Sequence, residues 1–136
     1  MAIQITKISD HFSTAPQISA DDIAKIAQLG VKTIINNRPD NEDGNQDAMA
    51  QPTSEQLKYA AELLGLTYVY IPVMPNNIQP AQVEEFSTAY ALAVKPVLGF
   101  CRTGHRARSI FKLAHATSQV AVAAKLNVTK SFLWAI

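Results

Sequence analysis

Two rhythms of apolar residues alternate along this chain. Between Ser19 and Gly30, the residues Ile23, Ile26, Ala27 and Leu29 recur at helical spacing. Ser19 stands where an N-cap belongs, Asp21 and Asp22 suit the positive end of a helix, and Gly30 supplies a stop. The rhythm then changes, and Val31 to Ile35, β-branched at all positions but Lys32, reads as a buried strand. A second pair follows. Thr53 or Ser54 caps a helix whose apolar face is Leu57, Ala60, Ala61, Leu63 and Leu64, and after Gly65 the run Leu66 to Ile71 is a strand. In a third pair, a helix from about Ala81 to Val94 carries Val83, Phe86, Tyr90 and Val94, and Lys95-Pro96 separates it from the short strand Val97–Phe100. Cys101 to Arg106 is a turn, and helical spacing resumes at Ala107. Two stretches interrupt the alternation: a polar segment over 37–52, longer than a usual connection, and a loop broken by Pro72, Pro75 and Pro80.

Alternating helices and strands predict a three-layer α/β/α fold with a mainly parallel sheet covered on both faces. Right-handed crossovers carry the strand C-termini to one edge, where such folds bind ligands. A length of 136 residues fits a single domain over 1–136. The hydrophobic fraction of 48% against 17% charged supports a packed core. No apolar run approaches the ~20 residues that span a bilayer. The N-terminus lacks the apolar region of a secretory signal, so a cytoplasmic protein with no membrane contact is expected. One cysteine rules out an intrachain disulfide and a multi-cysteine zinc cluster. His11, His105 and His115 show no ligand spacing with acids, so neither a metal nor an organic cofactor is expected.

Charge is uneven. Residues 1–85 hold all 11 acids and 5 of the 12 basic residues, whereas 86–136 hold 7 basic residues and no acid. The basic residues do not form a run, as a nucleic-acid face would. Arg102, Arg106 and Arg108 instead crowd around Cys101, which points to a small anion and not to a nucleic acid.

The segment from Val97 to Ala107 carries the sharpest chemical signal. A cysteine leaves a buried strand, enters a tight turn, and the turn feeds a helix N-terminus. Backbone N–H groups there form an anion cradle, and their positive field favours a thiolate. Gly104 permits the backbone angles of a loop folded about its own centre. Arg106 offers a planar fork matched to an oxyanion. Cys101 is therefore the candidate nucleophile and Arg106 the residue closing the cradle. Arg102, Thr103, Gly104 and His105 are the candidate anion-binding positions between them. Arg108, on the first helical turn, reads as a solvated surface residue.

This passage resembles two families. Cysteine-dependent tyrosine and dual-specificity phosphatases use a C-x5-R loop, whereas rhodanese-type sulfurtransferases commonly use a six-residue loop such as Cys-Arg-Ser-Gly-x-Arg. Cys101-Arg102-Thr103-Gly104-His105-Arg106 has the shorter spacing. In chain order, Asp10-His11-Phe12 with Pro16-Gln17, then Thr33 to Asp40, Ile71-Pro72-Val73 and Cys101 to Gly104 together resemble the β-lactamase-hybrid phosphatase-like domain, a bacterial group. The resemblance covers about residues 5–115. It implies a cysteine-phosphatase-like topology, with both phosphatase and sulfurtransferase roles assigned in the family. It also implies, as a partner for some members, a metal-dependent sulfur dioxygenase of the β-lactamase fold. Relatives often carry a hydroxyl or small residue where Ala107 follows the arginine, and the alanine-rich chain after Thr117 matches no part of the pattern.

Choosing between the reactions turns on a proton. Phosphate-ester cleavage expels an alkoxide or phenolate that a carboxylic acid normally protonates. The loop expected to hold that acid has Asn77, and no acid occurs between Glu62 and Glu84. Asp40 remains as a possible acid, or, with Arg38, as a brace of the long loop. Sulfur transfer needs no such acid. The expectation from sequence is therefore a sulfurtransferase that forms a Cys101 persulfide from thiosulfate or a low-molecular-weight persulfide, a small anionic sulfur donor. The alternatives are a phosphatase acting on a phosphate ester through Cys101 and Arg106, and a non-enzymatic anion-binding or redox-sensing module. Phe132, Leu133 and Trp134 are expected in the core or a terminal helix.

Overall fold

The computed structural model describes residues 3–44 and 51–116. Its five-stranded sheet has the order β1 (Thr6–Lys7), β2 (Phe12–Ala15), β5 (Val97–Phe100), β3 (Thr33–Asn36), β4 (Thr67–Tyr70). β2, β5, β3 and β4 run parallel, and β1 joins β2 antiparallel at one edge. Helices α1 (Ala20–Gln28), α2 (Ser54–Leu63), α3 (Pro80–Leu92) and α4 (105–116) cover the sheet. The architecture is a three-layer α/β/α sandwich with a mostly parallel sheet.

Local chemistry accounts for the helix ends. Ser19 and Thr53 each form a reciprocal capping box, with Asp22 and Gln56. Pro80 opens α3, where its missing N–H costs nothing. Period-two alternation then divides the strands between two cores. Ile34, Tyr68, Leu98 and Phe100 face one side and pack with Ile23 and Ile26 of α1 and Leu57 and Ala61 of α2. Phe12, Ile35 and Val97 face the other side and pack with Phe86 of α3 and Ile110 of α4. There Phe12 stacks on Phe111 at 4.2 Å between ring centroids and meets Phe86 edge-on.

Two features depart from the sequence reading. No strand was expected before Ser19, yet β1 and β2 occupy that stretch, and β2 supplies one whole flank of β5. Four residues whose partner strand lies some 85 positions later carry too short a local pattern to announce themselves. Helix α4 also begins two residues earlier than Ala107, within the loop after β5, because the Gly104 carbonyl already accepts from Arg108 N at 3.1 Å. The stretch after Thr117, with Phe132, Leu133 and Trp134, lies outside the described residues. No described helix is long and apolar enough to cross a membrane.

Gly99 and Ala107 set the approach of α4 to the sheet. A Cβ on Gly99 would sit 2.8 Å from the Phe12 ring and 3.4 Å from the Ala107 Cβ. Ala107 is fully buried, so this position serves packing. Gly99→Ala is expected to destabilise by about 1–3 kcal/mol through overpacking. A lower urea midpoint at unchanged m-value checks it.

Candidate active site

The site lies where β5 and β3 end. Cys101 follows β5 directly and is fully buried. The chain then turns back so that Gly104 N donates to Cys101 Sγ at 3.1 Å. That turn requires φ +94° at Gly104, a conformation strained for residues with a side chain, and a Cβ there would also press on the Ala15 carbonyl at 3.4 Å. Gln17 N donates to the Arg102 carbonyl and anchors the loop to the chain leaving β2. Arg102, Thr103 and His105 are exposed, and Thr103 Oγ1 accepts from His105 N. Cys101 and Gly104 thus form the floor of the loop, and the other candidates line its rim.

Arg106 is buried beside this floor at 8% exposure. Its guanidinium meets a partner that the sequence reading did not single out, Glu42. Nη1 donates to Glu42 Oε2 at 2.6 Å, Nη2 to Oε1 at 2.8 Å, and Nη1 also to the Val73 carbonyl at 2.9 Å. Of five N–H donors, these contacts take three. The remaining two, on Nε and Nη2, share one edge of the plane, and Cys101 is a further hydrogen-bond partner of this guanidinium. Glu42 thereby fixes the orientation of the Arg106 plane beside Cys101. Its hydrogen bonds raise the Arg106 pKa against the desolvation that lowers it, and Cys101 adds a smaller push upward. The Glu42 carboxyl is in turn held below its ordinary 4.5, chiefly by Arg106, against desolvation and with help from Arg38.

Arg38 is spent elsewhere. It is buried, and it donates to Glu42 through Nε, to Gln17 through Nη1 and to Asp43 through Nη2, each at 3.0 Å. It joins the loop after β3 to the loop after β2. Arg102 reaches Asp43 at 3.3 Å from an exposed position. Asp40 stands at the start of α2: its Oδ1 accepts from Ser54 N at 2.7 Å, and its own N–H donates to Tyr70 Oη. It lines a cleft of about 350 Å³ with Ser54, Glu55, Lys58, Tyr68 and Tyr70. Below it, Tyr68 Oη bonds Asn36 and Ser54, and burial raises the Tyr68 pKa to about 12. Asn77 Oδ1 accepts from the Gln79 side-chain amide. Among the described residues no group of three His, Cys, Asp or Glu side chains could hold a metal ion.

Glu42 has its normal pKa unfolded and a lowered one folded. The stabilisation it confers is therefore complete above about pH 4.5 and is lost as pH falls through the folded value. Removing one member of such a buried cluster costs about 3 kcal/mol. Glu42→Gln should accordingly unfold at lower urea than the parent at neutral pH, and the gap should close on acidification below pH 4.5.

Similarity to known proteins agrees with this geometry. Residues 4–118 match the family described as Beta-lactamase hydrolase-like protein, phosphatase-like domain. The Beta-lactamase hydrolase-like proteins of Xylella fastidiosa and Agrobacterium fabrum are 31% and 32% identical over 82% and 84% of this chain. The chain spans 25% of the length of each of these relatives. A candidate phosphatase from Neisseria meningitidis is 38% identical, covers 84% of this chain with 78% of its own, and superposes with a TM-score of 0.73. TpbA from P. aeruginosa, at 18% identity over 75% of this chain and 55% of its own, shares the fold with a TM-score of 0.54. The catalytic core of the PP-IP phosphatase Siw14 from S. cerevisiae also shares it, at 14% identity over 74% of this chain and 56% of its own, with a TM-score of 0.56. These relatives overturn the expectation of a rhodanese-like sulfurtransferase with a Cys101 persulfide. The physical reason is that the spacing from Cys101 to Arg106 does not say where the guanidinium lies; Glu42 and the Val73 carbonyl fix it. The chain belongs to the family of Beta-lactamase hydrolase-like proteins, phosphatase-like domain.

Proposed function

We propose that this domain is a cysteine-dependent phosphatase. The observation that carries the reading is the pairing of a buried Cys101 Sγ, held by Gly104 N, with an Arg106 whose ligand-facing edge is set by Glu42. In this reading the Cys101 thiolate attacks phosphorus, and N–H groups of residues 102–106 receive the phosphoryl oxygens. The Nε and Nη2 edge of Arg106 follows those oxygens as they flatten in the transition state. Glu42 is a positioning residue that acts through Arg106. Arg38 and Asp43 hold the segment that carries Glu42. The family match and the phosphatase relatives support the reading.

Hydrolysis of nitrophenyl phosphate by the purified chain tests it. Cys101→Ser should abolish turnover, and rapid quench of the parent should trap a phosphoryl group on Cys101. Arg106→Lys keeps the charge and loses the fork, and it should lower kcat by roughly 10²–10³-fold. No turnover and no trapped phosphoryl group would refute the proposal.

Glu42→Gln removes one oxygen and the negative charge. Arg106 then still draws the anion but is no longer aligned, so kcat should fall at least about tenfold with KM no higher. A purely structural role for Glu42 predicts instead fewer active molecules at unchanged kcat, once active sites are counted by the trapped phosphoryl group.

A further inference from the structure

Each carboxylate fastened around the cradle is engaged as an acceptor. Both Glu42 oxygens take guanidinium hydrogens, from Arg106 and Arg38, and the group is held ionised. Asp43 meets Arg38 through Oδ2 and Arg102 through Oδ1. Asp40 Oδ1 is occupied by Ser54 N at the start of α2. The loop across the site gives Arg106 a carbonyl, from Val73, and otherwise presents Asn77, an amide engaged with Gln79. The architecture is rich in groups that stabilise a transferring anion. Among the described residues, the carboxylates beside the cradle, Asp40, Glu42 and Asp43, each already hold a backbone or guanidinium partner.

Resting on the phosphatase reading, we infer that the substrates are activated phosphates, whose leaving group departs as a stable anion: phosphoric anhydrides, acyl phosphates and phosphates of acidic phenols, as against alkyl phosphate esters. General-acid catalysis contributes about 10²–10⁴-fold. An alkoxide forfeits all of that at this site, whereas a carboxylate, a phosphate or an acidic phenolate does not need it.

The chemistry closes without a further reactant. The Cys101 sulfur forms a bond to phosphorus as the phosphorus–oxygen bond breaks, and the electron pair departs with the leaving oxygen. Water then attacks phosphorus and the sulfur–phosphorus bond breaks, restoring the thiolate. The proton of the water passes to a phosphoryl oxygen, giving dihydrogen phosphate.

A leaving-group series on the full chain tests this through kcat/KM, which reports the step that expels the leaving group. The series is acetyl phosphate, dinitrophenyl phosphate, nitrophenyl phosphate, phenyl phosphate and glycerol phosphate. From dinitrophenyl to phenyl phosphate kcat/KM should fall at least about 100-fold. Acetyl phosphate should rank with the first group, and glycerol phosphate should not turn over. Asp40→Asn and His105→Gln remove described side chains near the site able to carry a proton, and each should change the whole series by one common factor. A flat series overturns the inference while leaving the phosphatase reading intact. So does a variant that slows phenyl phosphate but spares dinitrophenyl phosphate. Failure to hydrolyse even dinitrophenyl phosphate, with no phosphoryl group trapped on Cys101, overturns the phosphatase reading and this inference with it.

Discussion

A single carboxylate shared between two buried guanidiniums organises this end of the molecule. Arg38 and Arg106 are 4% and 8% exposed, and a charge so placed is costly unless it is paired and hydrogen-bonded. Glu42 meets both. Arg38 belongs to the chain leaving β3 and Arg106 to the first turn of α4. Gln17 and Val73 tie in the chains leaving β2 and β4. Four connections that share no secondary structure thus converge on one ion cluster. Cys101 lies on the floor beneath it.

The sheet makes that convergence possible. β5 sits at its centre with β2 and β3 parallel on either side, so three chain exits emerge together at one edge. Small residues then control depth. Gly99 and Ala107 let α4 settle against the Phe12 ring, and Gly104 bends the loop back over the sulfur. Electrostatics fixes the frame: Glu42 pairs with Arg106 and Arg38, and Asp43 with Arg38 and Arg102.

The spacing from Cys101 to Arg106 was the weakest guide to reaction type. One residue fewer in the loop suggested a site for a single sulfur atom. The structure shows that the reach and orientation of Arg106 depend on where α4 begins and on which edge of the guanidinium Glu42 occupies, and neither follows from counting residues. In the loop after Ile71, Asn77 is an amide whose Oδ1 accepts from the Gln79 side chain.

The chain by itself determined the alternation of helices and strands, because capping residues, glycine stops and β-branched runs act within a few neighbours. Ser19, Thr53, Gly65 and Val97–Phe100 are local signals of this kind, and Cys101 at a strand-to-helix turn is another. Tertiary structure alone decided the rest. β2 becomes a strand because β5 lies beside it, although Phe12 to Ala15 carry little local preference. Glu42 becomes the partner of Arg106 across 64 positions of sequence, from within a polar loop whose composition marks no residue above its neighbours. Asp40 is drawn to the α2 terminus by the Ser54 N–H. These assignments depend on which surfaces the packed sheet brings within hydrogen-bonding distance, and a pattern along the chain holds no record of that distance.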